Sequence, residues 1–168
     1  MNFLGAVLVL AASLMLEAAL GRWVPQAQRY VDVMTWPIAW TALAGSQRSA
    51  MITGCAAGLL QDAWFQAGAF GIHGFSKTLL GFTLGGVGSR FDLNHFWGQC
   101  AGGALLLVGD RLLETALLLL LDQGVTPLRP AELALGALVN GLLVTAFFAI
   151  VHRGTSRRRA VGLSRRRA

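Results

Sequence analysis

Six ionisable side chains interrupt segments that are otherwise apolar: Glu17, Asp62, Lys77, Asp110, Arg111 and Glu114. A charge at mid-membrane costs at least ~2.5 kcal/mol on insertion scales, so such residues turn inward and find partners. Paired carboxylates around one water would make an intramembrane aspartyl hydrolase. Asp110 and Glu114 stand four apart on one helix with Arg111 beside them, which does not give that arrangement. Asp62 and Lys77 flank a glycine-rich connection, so an ion pair between them is expected. Arg111 points about 100° away from Asp110 on a helix and is expected to reach Asp62 or Glu17 on another. Three uses of this polar cluster compete: a network that fixes helix register, a ligand or proton pathway, and a contact with another membrane protein. The first is favoured. Cys55 and Cys100 read as small core residues. His95 near Cys100 lacks a second ligand pair, so no metal, cofactor or catalytic residue is assigned.

The elements that must position these charges are apolar helices. Of 168 residues 55% are hydrophobic and only 13% charged, against roughly 25% charged in soluble domains. Mean hydropathy is +0.58. The expected fold is an all-α membrane bundle of about six transmembrane helices, residues 1–152, followed by a disordered basic tail, 153–168. The spans read Phe3–Leu20, Val31–Gly45, Ala50–Phe65, Phe75–Val87, Phe96–Leu121 and Leu133–Val151. No positive charge precedes the first, as a signal peptide would require. The second is short and contains Pro37, so it is expected to be tilted, broken or shielded.

The net charge of +6 belongs to the tail, which holds seven of the 14 basic residues. This argues for a topology and lipid signal and against nucleic acid as a partner. With both termini cytoplasmic, nine loop and tail arginines face inward and three (Arg22, Arg29, Arg129) face outward, in keeping with the positive-inside rule. Arg153, Arg157, Arg158 and Arg159 are expected at anionic headgroups. Trp23, Trp64 and Trp97 fall near span ends as interfacial anchors.

Glycines recur four apart at Gly54 and Gly58, Gly81 and Gly85, and Gly98 and Gly102. Each pair lets a second helix approach closely, either within the bundle or on a partner. The stretch Gly54-Cys55-Ala56-Ala57-Gly58-Leu59-Leu60-Gln61-Asp62, then Gly68 and Phe70-Gly71-Ile72-His73, resembles the MreD family of rod-shape proteins. Gly58, Leu59 and Asp62 match the core of its G-x-x-x-G-L-x-x-D pattern, Gly71 its following glycine, and Lys77 to Gly81 continue in its style. The motif covers about residues 54–81, the layout most of the chain. The resemblance implies a non-enzymatic, cofactor-free scaffold of the bacterial inner membrane. Its partner would be the bitopic protein MreC, with indirect links to MreB, RodA and a class B penicillin-binding protein. It also implies a fold similar to the substrate-binding subunits of energy-coupling-factor transporters. The runner-up is therefore a vitamin-binding subunit of that kind, though no set of loop residues converges as such a site requires.

Overall fold

The computed structural model describes the backbone of residues 3–164 except 25, 28, 29, 44, 45, 66–68, 92–94, 125, 126 and 128, and side chains within residues 5–150 of that set. The described residues form six helices and no strand: α1 (Phe3–Trp23), α2 (Thr35–Leu43), α3 (Gln47–Phe65), α4 (Ile72–Arg90), α5 (Phe96–Leu120) and α6 (Pro130–Ser164). The chain is all-α. Two of these helices are long and apolar enough to cross a membrane on their own, over Gly5–Trp23 and Pro130–Ile150. The side chains of Arg153, Arg157, Arg158 and Arg159 lie outside the described residues.

Large apolar side chains are exposed on the outside, and polar and charged ones are buried alongside the apolar core. Met15, Leu8 and Ile150 are more than half exposed, whereas Lys77, Asn140 and Ser76 are completely buried. An apolar perimeter around an interior that also holds polar groups suits a lipid surround, where such groups must be satisfied by the protein itself.

The second expected span is corrected: among its described residues only Thr35–Leu43 is helical. Asp32 sets its start. The Asp32 Oδ1 accepts the Met34 N–H at 3.0 Å, and the Asp32 carbonyl accepts the Thr35 hydroxyl at 2.6 Å. This side-chain turn competes with helix and delays it. Pro37 is tolerated because it sits in the first turn, where no intrahelical N–H bond is lost. The helix packs Ile38, Ala39 and Ala42 into the core with Leu84, Leu106 and Val144.

Helices α3 and α4 form the tightest pair, and glycine is the reason. A Cβ on Gly54 would stand 2.2 Å from the Lys77 carbonyl oxygen, and one on Gly58 2.2 Å from that of His73. From the other side, a Cβ on Gly81 would stand 2.4 Å from the Ala50 oxygen, and one on Gly85 2.8 Å from the Gln47 Cα. The backbones therefore meet directly along an antiparallel register, as small-residue faces permit. The Leu59 side chain closes the end of this seam, 2.9 Å from where a Gly74 Cβ would be. These four glycines are consumed by internal packing. Gly58→Ala is expected to destabilise the protein by about 1–3 kcal/mol, because a backbone carbonyl cannot move aside cheaply. Thermal unfolding in detergent measures this, and an unchanged midpoint would contradict the close approach.

Candidate functional site: a buried charged cluster and its cavity

Lys77, on the inner face of α4, is the centre. Its ammonium donates to the Asp110 Oδ2 on α5 at 2.8 Å and to the Asp32 Oδ2 from the stretch before α2. The neighbouring Ser76 hydroxyl donates to the other Asp110 oxygen at 2.6 Å. Glu17, on α1, joins through the Met34 N–H, which its Oε2 accepts at 3.2 Å while Oε1 accepts Gln61 Nε2 at 2.8 Å. One polar layer thus ties α1, the start of α2, α3, α4 and α5 together. On α6, the wholly buried Asn140 adds a separate tie, donating to the Gly103 carbonyl at 3.0 Å and to Thr35 Oγ1 at 3.3 Å.

The expected Asp62–Lys77 ion pair is not the arrangement found. Asp62 lies near the C-terminal end of α3, facing the start of α4, whose first N–H groups have no helical acceptors. Its Oδ2 accepts the N–H groups of Gly71 and Gly74, both at 3.0 Å, and its Oδ1 accepts that of His73 at 3.2 Å. Gly71, the N-cap residue, has no side chain to cap with and adopts φ 102°, which favours glycine. Asp62 therefore supplies from another helix what an N-cap side chain supplies locally. This is also why α4 begins at Ile72, before the expected Phe75. Lys77 lies one turn deeper, where Asp32 and Asp110 are the carboxylates it meets.

Asp62 orients one more group. The His73 Nδ1 stands 2.8 Å from Asp62 Oδ1, so the imidazole proton is assigned to Nδ1. The His73 Nε2 then faces Glu114, whose Oε1 is 3.7 Å away. Arg111 Nη1 donates to Glu114 Oε2 at 3.1 Å, one turn along the same helix; its expected reach to Asp62 or Glu17 gives way to this neighbour.

These side chains surround a cavity of about 300 Å³, lined by Glu17, Asp32, Gln61, His73, Asp110, Arg111 and Glu114 with Val31 and Phe65. Comparison with models of protein families, with curated proteins and with solved structures finds no match for this chain. The site is accordingly interpreted on its own geometry. Of the six charged residues singled out from the sequence, Glu17, Asp110, Arg111 and Glu114 line the cavity. Lys77 lies behind it against Asp110, and Asp62 behind His73. Asp32, Gln61, Ser76 and His73 complete the cluster without having been assigned to it. The signal for Asp32 was present: an aspartate two before a methionine and three before a threonine, at the mouth of an apolar run, is a side-chain turn pattern. Gln61 and Ser76 carried none beyond adjacency to Asp62 and Lys77.

Chemically, the cluster holds shape and presents acceptors. The Lys77 bridge joins three stretches of chain, and the Asp62 cap locks the α3–α4 turn. Four of the nine residues in the cavity wall carry carboxyl groups, with Arg111 as its strongest donor.

Proposed function

We propose that the chain is a non-enzymatic scaffold of the bacterial inner membrane, acting in the cell-elongation complex as members of the MreD family do. In this reading six segments cross the membrane and both termini are cytoplasmic. α2 crosses together with the irregular Val31–Met34 stretch, since nine residues make only about 13 Å of helix. That stretch is shielded: Val33 and Met34 are completely buried. The chain would bind MreC and through it position RodA, its class B penicillin-binding partner and the MreB filament. Basic residues would rest on anionic lipid.

The observation that carries the reading is the α3–α4 hairpin. Each residue of the family-like pattern has a distinct structural duty there: Gly54 and Gly58 admit the α4 backbone, Leu59 packs at the seam, Asp62 caps α4 and Gly71 makes the turn. A pattern wholly spent on building one rigid hairpin fits a protein whose task is to hold a shape. The partner-binding alternative for these glycines is thereby less attractive, because their faces are already covered; a partner would meet the apolar perimeter.

The test is a mild-detergent pull-down of the tagged chain from its native membrane, with mass spectrometry of proteins and small molecules. Recovery of a bitopic MreC-like protein is the expected result. Recovery of an ATPase pair, a coupling subunit and a stoichiometric vitamin would replace the scaffold with a transporter subunit.

A further inference from the structure

The cavity beside the Lys77 bridge has unmet hydrogen-bonding capacity of one kind. The Gln61 Oε1 is buried with no hydrogen-bond partner, and its side chain lines the cavity. His73 is only 8% exposed and lines the same space. Its Nδ1 is spent on Asp62, and its Nε2 faces Glu114 Oε1 at 3.7 Å, longer than a hydrogen bond. With the proton on Nδ1, Nε2 of the neutral ring is an acceptor. One buried acceptor without a partner, from α3, and an imidazole nitrogen, from α4, thus border one space.

The charges point the same way. Among the described residues, the carboxyl groups of Glu17, Asp32, Asp110 and Glu114 line the cavity, with Arg111 as the guanidinium in its wall. Lys77 is committed to two carboxylates and Arg111 donates to Glu114, and acidic groups outnumber basic ones around the cavity. A wall rich in acidic groups in a low-dielectric interior favours a cationic partner. A bare metal ion does not suit the wall, since no three of His, Cys, Asp and Glu among the described residues group as a metal ion requires. A cation that carries its own N–H donors does. The volume, about 300 Å³, sits at the low end of the ~300–1,000 Å³ typical of ligand sites.

We infer that this cavity is a binding site for a small organic cation bearing a primary ammonium group. Its N–H donors go to Gln61 Oε1, His73 Nε2 and the carboxylates of Glu17 and Glu114, and its charge offsets the acidic excess. Phe65 and Val31 receive its carbon skeleton. On the proposed topology the site lies in the outer half of the membrane, near the C-terminal ends of α1 and α3 and the start of α4, and is filled from outside the cell. The inference is independent of the scaffold reading, because it concerns the isolated chain.

The test is the unfolding temperature of the purified full chain in detergent, titrated with 1,4-diaminobutane. Choline, a quaternary cation without N–H donors, and sodium chloride at matched ionic strength are the comparison probes. The expected result is a dose-dependent rise with diaminobutane alone, since a ligand that binds only the folded state stabilises it by mass action. Gln61→Leu should weaken the apparent affinity about tenfold, the worth of one buried hydrogen bond. Glu114→Gln, which keeps shape and loses charge, should weaken it at least as much. Each variant is compared with its own ligand-free midpoint, so altered stability does not obscure binding. No rise with diaminobutane, an equal rise with choline or sodium, or a rise undiminished in both variants would each overturn the assignment. The pull-down of the preceding section is unaffected by any of these outcomes.

Discussion

Replacing Lys77 with methionine is expected to cost the fold about 3–5 kcal/mol, the penalty for removing one partner of a buried ion pair. The stem of methionine fills much of the same space, so packing is a minor part of the loss. The loss comes from Asp32 and Asp110, which are 5% and 4% exposed and would face each other without a cation. Asp110 would keep the Ser76 hydroxyl and Asp32 the Met34 N–H, and a single neutral donor does not offset a buried charge. The midpoint of thermal unfolding, or the folded yield in the membrane, measures the effect. Adding Asp32→Asn and Asp110→Asn to Lys77→Met should restore most of the lost stability, because the layer is then neutral and still able to hydrogen-bond. If Lys77→Met alone were as stable as the parent, the bridge would not be holding α4, α5 and the start of α2 together.

The two kinds of information in this sequence differ in reach. The helical layout was legible because it rests on hydrophobic runs and on glycine, proline and charge at their ends. α1, α3, α4 and α5 fall where apolar runs place them; α6 starts there but continues as helix to Ser164, through residues expected as a disordered tail. Placing Glu17, Asp110 and Glu114 inward was also legible, since charged residues in apolar segments have no other inexpensive position. Choosing partners was not. Asp62 looks closest to Lys77 along the chain, yet a carboxylate at the end of α3 meets the free N–H groups of α4 before it meets an ammonium one turn deeper. Asp32 is 45 residues from Lys77, in a stretch that reads as a span when only hydropathy is considered. Its role depends on how α2 folds back against α4, which no local pattern encodes. Asn140 meets Thr35 across 105 residues for the same reason. Gly54 and Gly58 lie between these cases: their spacing showed a close-packing face, and only the structure shows that α4 occupies it.

Asp62→Leu is expected to destabilise the protein by at least about 3 kcal/mol, because several charge-assisted bonds vanish together. Three N–H groups at the start of α4 and the His73 ring would lose their acceptor in one step. Gly71 is the N-cap of α4 and His73 and Gly74 lie in its first turn, so the damage should begin there. Hydrogen exchange should accelerate at the first turn of α4 before the rest of the helix. A double-mutant cycle separates this mechanism from an ion pair with Lys77. If Asp62 capped α4 only, its loss and the loss of Lys77 would act on different carboxylates, and their effects would be close to additive. If the two formed a pair, removing Lys77 would relieve the cost of removing Asp62, and the cycle would show strong coupling. The milder Asp62→Asn and Lys77→Met are the variants to combine, since an amide retains one acceptor oxygen for the helix start and keeps the double variant measurable. Near-additivity is expected. It would mean that the family-like aspartate serves to start a helix, and that the charged layer one turn below it is a separate structure with its own partners.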